Sequence, residues 1–259
     1  MSDLPRSFRV TAVVLRHSNT GEADRVLVLY TREYGKLRAI ARGVRKIKSR
    51  KAGHLQPFTL STLQLSRTHD LPIITQAETM LPFQDIHDHL ELIAQASIAN
   101  ELLDRFTFEA EENQALFNLL VDTLKRLNSG EEPSLAVQYY ELGLLNAVGF
   151  RPELFQCVVC RKEIQPEDQY FSAALGGVVC PRCGHQVAGA RPVTLEALRY
   201  LRHLLRSSYA DARKAHPNQL VQREMDDLLQ YYLSYLLERG LNAPRFLRDI
   251  HQQRDSLQK

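Results

Sequence analysis

The sequence predicts an α+β chain: a small N-terminal β-barrel over residues 1–80, then a mainly α-helical domain over 81–259 that carries a four-cysteine insertion at about 151–190. Three observations lead to this reading. The first 80 residues hold five short runs rich in β-branched and alternating apolar residues. Beyond Pro82 the apolar residues recur every three to four positions, the period of a helix buried along one face. The four cysteines of the 259-residue chain form two C-x-x-C pairs, Cys157/Cys160 and Cys180/Cys183, with 19 residues between them.

The first strand is Phe8 to Leu15, with Val10, Val13 and Val14. The second, Asp24 to Thr31, alternates around Val26, Val28 and Tyr30, and the turn at Tyr34-Gly35 leads to a third over Lys36 to Arg42. Phe58 to Ser66 and Ile73 to Thr79 follow, each set off by a proline, Pro57 and Pro72. Five short strands fit a small closed barrel of the OB-fold type, whose face and loops commonly bind single-stranded nucleic acid. Strand counting alone leaves an SH3-like barrel open.

Helical spacing begins with Ile86 and runs through Leu90, Ile93, Ile98 and Leu102 to Phe106. Leu116, Leu119, Leu120 and Leu124 mark a second helix ending near Asn128-Ser129-Gly130. Pro133-Ser134 opens a third that reaches Val148, with Gly149 as its C-terminal cap. After the cysteines, Thr194 is placed to cap a helix through Leu195, Leu198, Leu201 and Leu205. A last helix is expected over Gln219 to Arg239, stopped by Gly240, its apolar stripe reading as core.

Two C-x-x-C turns at this spacing are the pattern of one tetrahedral zinc held by four thiolates, Cys157, Cys160, Cys180 and Cys183. Buried filler cysteines would not segregate into two matched pairs, and a redox motif would need only one. Met1 is followed by polar, charged residues rather than an apolar signal segment, so a reducing cytoplasm and metal rather than disulfides are expected. Gly184 suits a knuckle, and His185 is left out because four thiolates complete the shell. A closed four-cysteine site is structural, so the activity lies elsewhere.

Net charge is +3, but it is unevenly distributed. Of 33 basic and 30 acidic residues, 14 and six fall in residues 1–80, leaving 19 and 24 beyond: +8 against −5. Such asymmetry points to a polyanion partner for the first part. The run Arg42 to Lys51 has six basic residues and no acidic one. Arg38, Ile40 and Arg42 share a strand face, because side chains two apart point the same way. The candidate phosphate-backbone-binding set is Arg38, Arg42, Arg45, Lys46, Lys48, Arg50 and Lys51, extended by Arg16, Arg25 and Lys36. Tyr30, Tyr34 and Phe58 are candidates for stacking bases, with barrel core favoured for Tyr30.

Nothing in the sequence asks for an enzyme. It lacks G-x-x-x-x-G-K-[ST], H-E-x-x-H, G-x-S-x-G and G-x-G-x-x-G, and zinc-held cysteines cannot act as nucleophiles. His87-Asp88-His89 reads as a helix start. No run approaches 18 apolar residues, so no membrane-spanning helix is expected. Besides nucleic-acid binding, a zinc-ribbon adaptor whose barrel holds an acidic protein fits the same features.

Read together, several strings resemble the RecO family of bacterial recombination and repair mediators over essentially the whole chain. They are Gly21-Glu22-Ala23-Asp24-Arg25-Val26, Tyr30 to Lys36, Ala41 to Lys46 with Ser49-Arg50, Leu55-Gln56-Pro57-Phe58, and Gly149-Phe150-Arg151-Pro152 leading into Cys157. The resemblance implies an N-terminal OB-fold, a helical domain and a four-cysteine zinc module. It also implies binding to single- and double-stranded DNA, strand annealing, and work with RecR, RecF and single-stranded-DNA-binding protein that assists RecA loading. A cytoplasmic, nucleoid-associated protein is the corresponding expectation.

Overall fold

A computed structural model describes residues 5–237. Five strands come first: β1 (Ser7–Thr20), β2 (Asp24–Thr31), β3 (Gly35–Ala41), β4 (Leu60–Ser66) and β5 (Ile73–Leu81), closed into a barrel in the order β1-β2-β3-β5-β4. All neighbours are antiparallel except β3 and β5, which meet in parallel where Ile40 faces Ile73. β2 has the bounds its alternation predicts. β1 runs five residues past the expected Leu15 because it serves two ladders. Ser7–Val13 pairs with β4 and Ala12–Thr20 with β2. The extension Arg16–Thr20 is polar and largely exposed, so no apolar alternation announces it.

Period-two alternation fills the barrel. Val10, Ala12 and Val14 of β1, Leu27 and Leu29 of β2, Leu37, Ala39 and Ala41 of β3, and Leu63 and Leu65 of β4 form one buried cluster with Ile74. The opposite face is also covered in part: Val13, Leu15, Val28 and Tyr30 are buried as well. A bulge in β1 between Val14 and Arg16 accompanies this double burial.

Helices α1 (Gln84–Asp88), α2 (Leu90–Phe106) and α3 (Gln114–Asn128) follow. The single expected run from Ile86 to Phe106 is broken at His89, whose backbone is extended, so the His87-Asp88-His89 trio is the end of one helix and the cap of the next. The Asn100 side chain of α2 donates to the carbonyls of Val14 and Leu15, satisfying backbone groups at the β1 bulge. Asn113 caps α3 by accepting from the Leu116 amide at 3.1 Å.

The described residues divide into two compact units between Pro133 and Ser134, so α1–α3 belong with the barrel. The second unit is built on α4 (Pro133–Ala147), α6 (Leu195–Arg206) and α8 (Gln219–Leu236). Gly149 takes φ +85° after α4, as a C-terminal cap requires. Thr194 caps α6, accepting from the Ala197 amide, and Asn218 caps α8. The expected end of α8 at Arg239, with Gly240 as its stop, lies outside the described residues. Between α4 and α6 the cysteine segment forms a three-stranded sheet absent from the sequence reading. It comprises β6 (Gln169–Ser172), β7 (Gly177–Val179) and β8 (Arg191–Val193) in the order β7-β6-β8, with the short α5 (Pro181–Gly184) after β7. Its strands are three or four residues long, too short to show a period. A further short turn, α7 (Tyr209–Ala212), precedes α8. No helix among the described residues is long and apolar enough to cross a membrane.

Candidate nucleic-acid interface and cysteine centre

The basic run leaves β3 and becomes a loop anchored at both ends. Gly43 turns the chain at φ +64°, and its amide donates to Asp24 Oδ1 at 2.7 Å. The left-handed φ is what requires glycine here; an added Cβ would touch only the Lys46 side chain, at 3.7 Å or more. Val44 is buried in the barrel core cluster, and the Arg45 amide donates to the Ala23 carbonyl at 2.9 Å. Lys46 and Ser49 close successive tight turns through their amides. At the far end Lys51 Nζ donates to the Ile74 carbonyl at 2.8 Å. Burial lowers the Lys51 pKa, against the opposing pull of Asp24.

This framework sorts the ten sequence-predicted cations by what they touch. Arg42, Arg45, Lys46, Lys48 and Arg50 are exposed and make no ion pair among the described residues. Lys51 is half-buried and ties the loop to β5. Arg25 is half-buried and its Nε donates to Asn19 Oδ1 at 3.3 Å.

The remaining three meet acidic groups from the end of α2 and the segment after it. Arg16 Nε lies 2.6 Å from Asp104 Oδ2, and Lys36 Nζ donates to the Asp104 carbonyl and lies 3.2 Å from its Oδ1. Lys36 is 13% exposed against 61% for Arg16, so its ammonium is engaged inside the unit while Arg16 keeps an open side. Arg38 pairs with Glu109, both half-exposed, and the backbones of Lys36 and Glu109 form an isolated parallel bridge. The Ala110 amide donates to the Lys36 carbonyl, and Gly35, at φ +62°, leaves the space that Glu111 backbone occupies. Residues 109–111 thus lie along the start of β3. Sequence reasoning missed Asp104 and Glu109 because nothing local announces a partner some 70 residues away.

The candidate stacking aromatics are not available as a set. Tyr30 and Phe58 are buried, and Tyr34 packs edge-on to Phe8 with centroids 5.5 Å apart. Ile47, in contrast, is the most exposed large apolar side chain among the described residues. In the sequence it is visible as the lone large aliphatic between Lys46 and Lys48.

The four cysteine sulfurs all lie within 4.8 Å of one another. Cys160 Sγ and Cys180 Sγ are 3.8 Å apart. That separation is far beyond a disulfide, at about 2.05 Å. It agrees with the edge of a tetrahedron whose metal–sulfur bonds are about 2.3 Å, which is about 3.8 Å. Hydrogen bonds set the two turns. Arg161, at φ +62°, donates its amide to the Cys157 carbonyl, and the amides of Cys183 and Gly184 donate to the Cys180 carbonyl. Gly184 is needed because the Tyr170 ring packs where a Cβ would stand. His185 packs edge-on against Tyr170, and its Nδ1 lies 3.4 Å from the Tyr170 hydroxyl.

Burial would raise the Cys157 pKa, but amides of Cys160, Cys180 and Val159 outweigh it and bring the thiol to about 6. At the other extreme, hydrogen bonding with Cys180, reinforced by burial and the neighbouring sulfurs, pushes Cys183 up to about 12. Four crowded sulfurs cannot all become thiolates unless a cation neutralises them, so the donor set fits a metal ion. Holding it would lock the two turns together.

Comparison with known proteins covers both units. The family model "Recombination protein O N terminal" matches residues 4–83, and "Recombination protein O C terminal" matches residues 87–245. The DNA repair protein RecO of Roseiflexus sp. (strain RS-1) is 36% identical over 247 residues, 95% of this chain and 87% of that protein. The protein of the same name from Dehalococcoides mccartyi (strain CBDB1) is 34% identical over 246 residues, covering 95% and 97%. That of Pelotomaculum thermopropionicum is 36% identical over 240 residues, covering 93% of each chain.

Proposed function

The chain belongs to the recombination protein O (RecO) family, and on that premise we propose that it is a non-enzymatic, DNA-binding mediator of recombinational repair. A role in DNA repair follows from the family itself. The observation that carries the DNA contact is the anchored loop. Arg42, Arg45, Lys46, Lys48 and Arg50 project from a fixed turn beside a closed barrel, with no carboxylate paired to them among the described residues. The barrel order, with β3 parallel to β5, supports an OB-fold over residues 1–80.

The chemistry is electrostatic. Guanidinium and ammonium groups replace condensed counterions along a phosphate backbone, and the released ions drive binding. A surface that neutralises two complementary strands lowers their mutual repulsion, so annealing follows from the same residues. The four thiolates of Cys157, Cys160, Cys180 and Cys183 would hold one structural zinc, which cross-links the two C-x-x-C turns and takes no part in a reaction. Cooperation with RecR, RecF and single-stranded-DNA-binding protein, assistance to RecA loading, and a cytoplasmic, nucleoid-associated location come from the family resemblance.

An annealing assay tests this reading. With complementary labelled oligonucleotides, bare or coated by single-stranded-DNA-binding protein, the full chain should accelerate pairing without cutting either strand in Mg²⁺. A variant with the five loop cations changed to glutamine should lose most of that acceleration. Failure to anneal, or annealing indifferent to the five charges, would count against it. Binding of an acidic protein that oligonucleotide cannot displace would favour the adaptor instead.

A further inference from the structure

An exposed apolar side chain is ordinary when it stands alone on a surface. Ile47 stands elsewhere: at the outer part of a loop whose two ends are fixed to the barrel, between Lys46 and Lys48 and within the run Arg45 to Arg50. Val44, three residues earlier, is buried in the barrel core, so the loop uses one aliphatic as its anchor and leaves the other in water. The amide hydrogen bonds of Arg45, Lys46 and Ser49 hold this arrangement without help from the Ile47 side chain.

We propose that Ile47 is an apolar wedge that enters between adjacent bases of bound DNA while Arg45, Lys46, Lys48 and Arg50 hold the phosphates on either side. The proposal rests on the DNA-binding reading and gives that site a contact with the bases. A partner for this loop must present apolar surface flanked closely by negative charge. Nucleic acid does so at every step, with base faces lying between phosphates, and aliphatic wedges are a known way to part stacked bases. An anionic bilayer offers the same two chemistries. It is the weaker fit, because even a whole myristoyl chain gives only marginal membrane binding and Ile47 offers a small fraction of that area. The aromatic candidates for base stacking are not free for it: Tyr30 and Phe58 are buried, and Tyr34 packs edge-on to Phe8. The wedge is also pre-organised: the loop's backbone bonds exist before DNA arrives, so little ordering entropy opposes insertion.

The test uses the full chain, a single-stranded oligonucleotide carrying 2-aminopurine, whose fluorescence rises when it is unstacked, and the variants Ile47→Ala and Ile47→Leu. Because Ile47 is exposed, both variants should match the wild type in thermal unfolding. Ile47→Ala should bind roughly tenfold more weakly, with an unchanged salt slope, because no charge is altered. Its fluorescence rise should be lost, whereas Ile47→Leu should keep both affinity and signal. Equal affinity of Ile47→Ala and wild type would overturn the wedge alone, as would a wild-type complex with no unstacking signal. Binding to vesicles of anionic lipid that depends on Ile47, with oligonucleotide affinity unaffected, would transfer the residue to a membrane role and overturn the proposal. A wild type that shows no salt-dependent affinity for the oligonucleotide would remove the DNA-binding reading itself.

Discussion

Single side chains carry more than one kind of constraint here. Glu141, on α4, is buried, and burial first, with the nearby Asp226 second, raises its pKa well above the ordinary carboxylate value of 4.5. Asp226 is in turn held by Gln138, whose Nε2 donates to Oδ1 at 2.8 Å. The unfolded chain releases the Glu141 proton near its ordinary pKa while the folded chain keeps it, so the folded state binds more protons between the two values. Stability should therefore fall as pH rises through that window, by up to about 1.4 kcal/mol per pH unit for one proton. Glu141→Gln should remove this decline, and urea melts of both forms from pH 4 upward measure it; parallel profiles would contradict it. Tyr30 illustrates a different limit. Its alternation with Val26 and Val28 marks it as a strand residue, and the structure buries it with its hydroxyl unpaired among the described residues, its pKa pushed up to about 12 by burial and by Glu111. Alternation identifies the strand face; it does not reveal that α2 covers what would otherwise be the outside of the barrel.

At the scale of elements, the cysteine module behaves as a single cross-linked unit. Its strands of three or four residues bury little by themselves, and the two C-x-x-C turns come together only at the sulfurs. Elemental analysis should find one zinc per chain. Chelation, or Cys157→Ser or Cys180→Ser, should unfold β6–β8 first, since structural zinc contributes ~10–16 kcal/mol in small peptides. DNA affinity should largely survive, the cysteines lying in the other compact unit; equal melting temperatures with and without chelator would argue against a structural metal. The cysteine spacing made this centre legible before any coordinates, because four ligands at two fixed intervals are a local signal. The same holds for β2 and for the Thr194 cap, where a polar residue and a clear period coincide. The sheet β7-β6-β8 and the break at His89 were not legible, since the first is too short for a period and the second falls inside an unbroken apolar rhythm.

For the molecule as a whole, the charge asymmetry overstates how many of the cations of residues 1–80 are free. Residues 1–80 carry +8, yet Arg16, Lys36 and Arg38 are met by Asp104 and Glu109, which counting assigns to the acidic remainder. What stays open is narrower than the sequence-predicted set: Arg42, Arg45, Lys46, Lys48 and Arg50 on one anchored loop. Pairing across 68 to 88 positions is a property of the fold, and no window of sequence contains it. The central claim is that these five groups hold the DNA backbone, and a salt titration of single-strand affinity tests it most directly. Five phosphate contacts give a log–log slope of about −3.5, or about two decades of affinity lost between 50 and 200 mM salt. Changing all five to glutamine should flatten that slope to near zero and abolish most low-salt binding. A slope that stays near −3.5 in the glutamine variant would place the DNA elsewhere and contradict the account.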